Sequence, residues 1–292
     1  MLGSVTPGSD SSSGGLLRTL RSIAAWVGAA IGLSLLGLLA VRRCVPVGAL
    51  RSSSDAVGNY LQTLGSIYAV LLAFVVFVVW QQFNDARTNI DREANELFDL
   101  ARTVNGLPTE LSRPFLELVD AYVRTVLNDE WPAMAERRRG PLARGNTLLD
   151  SMWDLLVAYE PRSECHKSLY DNALSRYNDL SDSRTNRVVS SRLRIPLALR
   201  LLLYVGAAVT VGSLWLFAVD SFAIHALMTG ALAGSVSHIL YVISDLDDCF
   251  RGNWQVPRFQ FERVGAAVTA LLTQGPAVNQ ATLAALLVER AS

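Results

Sequence analysis

The pattern of apolar and polar positions is dominated by one uninterrupted stretch, residues 66 to 105, in which neither glycine nor proline occurs. Its first half, up to Trp80, is almost wholly apolar and carries no charge. Its second half places apolar residues three or four positions apart, as on one face of a helix: Phe83, Ala86, Ile90, Ala94, Leu97, Phe98, Ala101 and Val104. The pattern predicts one helix that begins near Tyr60, crosses a membrane, leaves it at Trp80 and continues into water to Gly106. Such a helix would be roughly 60 Å long, and about 30 Å is enough to cross the hydrocarbon of a bilayer.

Three further apolar runs are long enough to span a membrane: residues 23–41, 196–219 and 222–244. The first of them could be a signal peptide. However, Arg42 and Arg43 close it where a small-residue cleavage site would be expected, so we interpret it as a retained helix. The spans then form two pairs, within residues 17–80 and 196–245. The Ser- and Gly-rich residues 1–16 are predicted to be disordered.

Residues 81–195, between the second and third spans, are soluble in character. Their apolar spacing predicts helices over about 112–129, 146–159 and 164–189, the first of them ended by Glu130-Trp131-Pro132. No segment alternates as a strand would. The predicted fold is therefore all-α: a four-helix transmembrane region with a helical cytoplasmic domain inserted between the second and third membrane helices. The tail, residues 246–292, is expected to pack on that domain and to end in a short helix over 280–289.

Basic residues flanking the spans predict the orientation of the chain in an inner membrane. The tip of the hairpin formed by the third and fourth spans, residues 220–221, has no arginine or lysine. The two opposite ends of this hairpin (its feet) carry several: Arg192, Arg194, Arg200, Arg251 and Arg258. The feet, the inserted domain and both termini are therefore expected in the cytoplasm. Arg42, Arg43 and Arg51 would face outward and disagree with this orientation, but the larger domain and the greater charge favour it.

Composition removes several classes of function. The 292 residues have a formal net charge of zero, which gives no electrostatic reason to bind nucleic acid. The three cysteines, Cys44, Cys165 and Cys249, are isolated, so neither a disulfide framework nor a zinc site is expected. No phosphate-binding, nucleophile-elbow or metalloprotease motif is present. We therefore predict no catalytic residues, no metal, no cofactor and no enzyme activity.

Two ionisable residues fall inside the predicted spans. His238, in the fourth, is either a functional group or a neutral histidine hydrogen-bonded between helices, and we favour the second reading. Arg200, about one turn into the third, either extends to the membrane surface or offers positive charge to an anion at the inner mouth.

Three local motifs resemble those of the bacterial bestrophin-like family, over roughly residues 60 to 262. They are Trp80-Gln81-Gln82-Phe83 leading to Glu93-Ala94-Asn95, then Asp129-Glu130-Trp131-Pro132-Ala133-Met134, and finally Asp247-Asp248-Cys249-Phe250-Arg251-Gly252. In the last motif Cys249 stands where that family usually has proline. Asp129, Glu130 and Glu93 are expected to hold the cytoplasmic domain together through arginine pairs.

The resemblance implies a function distantly similar to that of the bestrophins. Those are anion channels formed by oligomers, usually pentamers, whose second membrane helix lines the pore. On that helix, candidates for an apolar constriction lie at helical spacing: Val70, Phe74, Phe77, Val78 and Gln81. The alternative is that these residues face lipid or neighbouring helices.

Asp245, Asp247 and Asp248 follow the fourth span, near the position where animal bestrophins bind calcium. They either bind calcium or form a solvated or salt-bridged helix end. We favour the second reading, because no dense acidic run follows them and no EF-hand pattern is present.

The sequence thus predicts an oligomeric ion channel whose partners are the lipid bilayer, further copies of itself and inorganic anions, chloride first among them. The alternative, from another class, is a non-conducting membrane scaffold or sensor that presents its helical domain to a cytoplasmic partner.

Overall fold

The computed structural model describes residues 10–51, 54–138, 140 and 142–274, and all regular structure in these residues is helical. The expectation of an all-α chain is confirmed for this part of the sequence. The helices, in chain order, are α1 (Asp10–Cys44), α2 (Val47–Arg51), α3 (Ser54–Asn105), α4 (Thr109–Thr125), α5 (Trp131–Glu136), α6 (Leu142–Val157), α7 (Glu164–Ser190), α8 (Leu197–Leu214), α9 (Phe222–Leu246) and α10 (Phe259–Gln274). A π-helical turn, Val126–Glu130, joins α4 to α5.

Two predictions concern the ends of the sequence: disorder over residues 1–16 and a short helix over residues 280–289. Helix α1 begins at Asp10, so residues 10–16 are helical although they were predicted to be disordered. Once a helix is nucleated, each added residue gains a hydrogen bond at little further cost, and this carries the helix into a poor sequence. Residues 1–9 and the predicted last helix, 280–289, lie outside the described residues.

Four helices among the described residues are long and apolar enough to cross a membrane, and they lie within 19–44, 55–105, 197–214 and 222–246. Helix α3 is a single element of 52 residues, as its uninterrupted sequence predicts, and begins about six residues before Tyr60. Helix α8 ends at Leu214, before the predicted Val219. The reason is a tightened last turn, in which Trp215, Leu216 and Phe217 donate to carbonyls three residues back.

The described chain divides into two compact units. The first comprises residues up to Gln81 together with Arg194–Asp247. In it α1 lies antiparallel to α9: Ser22 and Tyr241 are 3.2 Å apart at one end, and Arg42 donates to the carbonyl of Val219 at the other. These contacts fix the register of the two helices, since a slip by one turn would lose both.

In the same unit α3 approaches α8 closely at a glycine. The Tyr68 hydroxyl donates to the carbonyl of Leu203 at 2.8 Å, and its ring lies over Gly206. A Cβ at Gly206 would meet the ring at 2.5 Å, so the two helices could not keep their spacing.

Gly206→Ala should therefore destabilise the first unit by about 1–3 kcal/mol, the usual cost of overpacking. The matched control is Gly212→Ala on the same helix, where the nearest atom to a new Cβ is 3.9 Å away. The measurement is the thermal unfolding midpoint in detergent. Equal midpoints for the two variants would contradict the close approach.

The second unit comprises Gln82–Leu193 and the chain from Asp248 onward. Helix α4 is central to it, contacting both α6 and α10. The amphipathic half of α3 buries the face that its spacing predicts, with Ile90, Leu97 and Val104 fully inaccessible. Tyr122 on α4 reaches Glu93 on α3, so the two helices are also joined by a buried polar contact.

Candidate functional site

One face of α3 in the first unit carries an exposed apolar stripe, formed by Ile67, Val70, Phe74 and Phe77. Their side chains are 65%, 71%, 62% and 61% exposed. The steps of three and four residues between them place all four on one side of a helix. Gln81 is exposed one turn further along the same face, and Val78 is half-buried at its edge.

The opposite face of this helix segment is buried. Tyr68, Leu72, Val75 and Val79 are at most 6% exposed. The sequence is almost uniformly apolar from Ser66 to Trp80, so composition did not distinguish the two faces, and Ile67 was not among the predicted residues. Burial distinguishes them, because the packed face is used within the unit and the stripe is not.

The buried histidine of the first unit is His225, not His238. His238 lies exposed on α9 in a single copy of the chain, and the reading of a histidine hydrogen-bonded between helices stays a prediction for it. His225 is 1% exposed. Its Nε2 lies 2.8 Å from the carbonyl oxygen of Leu214, and its Nδ1 lies 3.1 Å from an Arg42 nitrogen. Because Arg42 can only donate, Nδ1 accepts and Nε2–H donates, which makes His225 a neutral structural group.

Arg200 is paired with Asp247. Its guanidinium donates to Asp247 Oδ2 at 2.7 Å, and the backbone N–H of Ile195 donates to Oδ1 at 2.7 Å. One buried carboxylate therefore joins the start of α8 to the end of α9. In the second unit Asp248 is paired with Arg137 at 2.9 Å. Among the described residues no group of three or more His, Cys, Asp or Glu could hold a metal ion.

The core of the second unit contains a cluster of four charged side chains, defined by Glu93, Glu130, Arg184 and Arg187, and we call it the ionic cluster. Each is at most 4% exposed. Arg187 bridges the carboxylates, with its Nε 2.6 Å from Glu93 and its Nη2 2.7 Å from Glu130. Both terminal nitrogens of Arg184 donate hydrogen bonds to the Glu130 carboxylate, at 2.8 and 2.9 Å. The expected arginine partners of the two glutamates are thus residues of α7.

Tyr122 completes the cluster. Its hydroxyl donates to Glu93 at 2.5 Å and accepts from Arg184 at 3.2 Å. Burial raises the pKa of this hydroxyl, and the charge of Glu93 raises it further. Burial alone would raise the pKa of Glu130, but hydrogen bonds from Arg184 and the charge of Arg187 together lower it. Two carboxylates face two guanidinium groups, so the formal charges of the cluster balance, and its hydrogen bonds join α3, the π-turn and α7.

The π-helical turn places Glu130 in this cluster. The helix predicted to end at Glu130-Trp131-Pro132 does not end there: the chain passes through Val126–Glu130 directly into α5. Pro132 lies in the first turn of α5, directly after the π-turn, where the backbone hydrogen bonds run five residues back and the α-helical ladder is already interrupted. A π-turn widens a helix by one residue and shifts the direction of the side chains that follow.

Two aromatic residues of the motifs, Trp131 and Phe250, pack together with Phe261. The Trp131 ring lies edge-on to Phe250 at 5.5 Å and to Phe261 at 6.2 Å between centroids. Gly252 has φ of 98°, a backbone conformation that other residues rarely adopt, so glycine is needed there. Cys249 is buried, and its carbonyl accepts from the backbone N–H of Val256 at 2.9 Å, which closes the loop. Asn95 is exposed on α3.

Sequence reasoning missed Arg184 and Arg187 as the partners in the cluster. A signal was present: two arginines three residues apart, on the same side of α7 as the buried Tyr177 and Leu180. Charged residues on the apolar face of a helix are unusual unless they are paired.

Four apolar helices of spanning length lie among the described residues, whose regular structure is all helical, and they define the class: a multi-pass membrane protein. The chain belongs to a family within that class, because residues 28–261 match the Bestrophin-like domain.

Solved structures agree on the fold. A variant of a bacterial bestrophin homologue from Klebsiella pneumoniae superposes with a TM-score of 0.66 at 13% identity, over 85% of this chain and 99% of that one. A second variant of that homologue gives 0.63 at 14% identity, over 83% and 97%. A variant described as a membrane protein gives 0.66 at 13% identity, over 85% and 99%. No curated protein matches the chain in sequence.

Proposed function

We propose that copies of this chain assemble into an anion channel whose pore is lined by the exposed stripe of α3. The stripe is the observation that carries the proposal. It presents four large apolar side chains, at 61–71% exposure, from a helix whose other face is already packed. In a family of bestrophin-like membrane proteins, a symmetric assembly around this face would bring the stripes together at one axis.

The chemistry of the stripe suits a hydrophobic constriction. Rings of Phe74 and Phe77 would leave a narrow apolar passage, which excludes ions when it is dry and passes them when it is wetted. Gln81 follows on the same face, and its amide NH₂ can donate to an anion that has lost part of its water. No acidic residue lies on the stripe, so nothing there repels chloride.

The proposed orientation follows the arginines that flank α8 and α9. Both termini and the second unit, residues 82–193 and 248–274, would be cytoplasmic, and the hairpin tip at Asp220 would face outward. A homo-pentamer in an inner membrane, with lipid around it and inorganic anions as its permeant partners, is the assembly we propose.

The function is tested by current across a planar bilayer that holds the purified protein under a chloride gradient. We expect a reversal potential near the chloride equilibrium value. Phe77→Ala should raise the single-channel conductance by roughly twofold or more, because it widens an apolar constriction. The matched control is Leu202→Ala on α8, a similarly exposed apolar side chain outside the stripe, which should leave the conductance unchanged.

Subunit contact is tested separately by cross-linking. Single cysteines at positions 70, 74 and 77 are introduced after Cys44, Cys165 and Cys249 are replaced, since the first two are exposed and would react. Cross-links between subunits support the pore. Silent bilayers together with absent cross-links, in protein shown to be folded, would overturn the proposal in favour of a scaffold that presents its second unit to a partner.

A further inference from the structure

A pocket of about 140 Å³ lies in the second unit, where the first turn of α4 meets the ends of α3 and α10. Buried leucines, Leu116 and Leu271 among them, form one part of its wall, and Asn105, Thr109 and Arg113 form a more exposed polar part. Among the described residues that line it, none is acidic. Pockets that enclose organic ligands usually measure roughly 300–1,000 Å³, so this one is of a size for a small ion.

The start of α4 provides backbone donors at this pocket. Its N-cap residue is Pro108, and no side chain caps the first turn. The N–H groups of Leu111 and Ser112 donate to the carbonyl of Pro108, whereas those of Thr109 and Glu110 have no acceptor among the described residues. A helix N-terminus also carries a partial positive charge, equivalent to about half an elementary charge. Free N–H groups and the helix dipole together favour an anion beside this turn.

Ser112 gives independent evidence that the pocket holds a ligand. The residue is 7% exposed, and its hydroxyl makes no hydrogen bond within the described part of the chain. The hydroxyls of Ser34 and Ser237 in the first unit also lack a partner, but they are closed off from solvent, whereas Ser112 forms part of the pocket wall and its hydroxyl stays within reach of an occupant. Burying a hydroxyl without a hydrogen bond is costly, and an acceptor bound in the pocket removes that cost.

Arg113 supplies a formal positive charge to the pocket. Its guanidinium lies 3.5 Å from Glu117, and both side chains of this pair are largely exposed. An exposed pair contributes little, so the guanidinium can turn toward an anion at small cost. Glu110, the acidic residue of the first turn, does not line the pocket. The pocket therefore presents one cation and several hydrogen-bond donors, and the buried leucines on its other side exclude water and strengthen these interactions.

We propose that this pocket binds a tetrahedral oxyanion, phosphate first among them. The oxygens of the anion accept hydrogen bonds from the N–H groups of Thr109 and Glu110 and from the Ser112 hydroxyl. Arg113 balances part of its charge. Four oxygens can accept from donors that lie in different directions, which a hydroxyl, a helix terminus and a guanidinium do here. The pocket lies wholly within the second unit, so the site does not depend on the assembly proposed for α3.

The first test is calorimetric titration of the full chain in detergent with inorganic phosphate at constant ionic strength. We expect binding to saturate at one phosphate per chain. Ser112→Ala should raise the Kd about tenfold, because it removes a hydrogen bond to a charged ligand, and Arg113→Gln should raise it about threefold. The matched controls are Ser175→Ala and Arg162→Gln, at exposed positions of the same unit outside the pocket, and both should bind phosphate like the parent.

The second test is thermal unfolding of the same variants with and without phosphate. Without phosphate, Ser112→Ala should unfold at the midpoint of the parent or slightly above it, because the variant removes a buried hydroxyl that has no partner. Arg113→Gln should unfold like the parent. With phosphate, the midpoint of the parent should rise, and that of Ser112→Ala should rise less. A lower midpoint for Ser112→Ala without phosphate would show that the hydroxyl serves the fold, and would overturn its assignment to a ligand.

Competition identifies the class of anion. Sulfate, which has the same shape, should displace phosphate, whereas chloride at the same concentration should not. Displacement by chloride would mean simple attraction of charge and would overturn the oxyanion site, as would the absence of saturable binding or equal weakening in the control variants.

The same phosphoryl group could reach the pocket free or as part of an ester. Glycerol 3-phosphate distinguishes the two sources: an affinity equal to that of phosphate supports the free ion, and one at least tenfold tighter supports an ester. Neither calorimetry nor unfolding requires conductance, so a silent channel that binds phosphate would separate the failure of the proposed function from the failure of this one.

Discussion

Arg187→Met is expected to unfold the second unit under conditions where the parent chain is folded, with a loss of about 3–5 kcal/mol in the free energy of unfolding. Arg187 is fully buried and contacts both carboxylates of the ionic cluster. Methionine has a similar length but no charge. Glu93 would keep only the Tyr122 hydroxyl as a donor, and Glu130 would depend on Arg184 alone. Removing one partner leaves buried charge uncompensated, which is far more costly than the pair is stabilising.

The measurement is hydrogen exchange of α7 peptides together with thermal unfolding in detergent. The matched control is Arg113→Met, which breaks a pair with Glu117 between side chains that are 70% and 60% exposed. An exposed pair contributes between zero and about 1 kcal/mol, so the control should behave like the parent. Similar losses of unfolding free energy in Arg187→Met and Arg113→Met would contradict the prediction, because burial of Arg187 would then not add to the cost of breaking its ion pairs.

The fold could be predicted from the sequence where one physical constraint was dominant. In a bilayer, backbone groups must be satisfied within the segment, so the long apolar runs at α1, α3, α8 and α9 could only be helices. The amphipathic half of α3 was also predictable, because its buried residues recur with the helical period and no glycine or proline interrupts them. Boundaries were less predictable, as the short end of α8 illustrates, since the tightened turn after Leu214 depends on tertiary context.

The candidate sites were predictable only in part. Val70, Phe74 and Phe77 could be placed on one face by spacing, but burial of the opposite face was needed to show that this face is unused within the unit. Which histidine is buried depends on the helices that pack against α9, and the sequence alone does not identify those helices. Glu130 could be identified as a residue paired with arginine, yet its direction depends on a π-turn that no periodicity in the sequence reveals.

Gly145→Ala is expected to disrupt the ionic cluster by introducing a side chain next to it. Gly145 is a buried residue of α6, and a Cβ there would lie 2.6 and 2.7 Å from the terminal nitrogens of Arg184 and closer still to a carboxylate oxygen of Glu130. Those atoms are held by bonds to each other and cannot move without breaking a buried ion pair. In an exposed helix interior this substitution would stabilise by up to about 1 kcal/mol, whereas here we expect a loss of about 3 kcal/mol.

A glycine-to-alanine substitution is expected to destabilise the protein at Gly145 but not at an exposed glycine, so a matched control can distinguish the two cases. The control is Gly140→Ala, at which no atom lies within 4 Å of a new Cβ, and it should leave the unfolding midpoint unchanged or slightly raised. A double-mutant cycle adds the cause: in an Arg184→Met background the Arg184 nitrogens are gone, so Gly145→Ala should cost less than it does in the parent. Additive losses would show that the glycine is needed for some reason other than the ionic cluster. Coupled losses would show that Gly145 and the Arg184–Glu130 pair form one packing unit. In that unit, the missing side chain at Gly145 is what allows the buried Arg184 to reach Glu130.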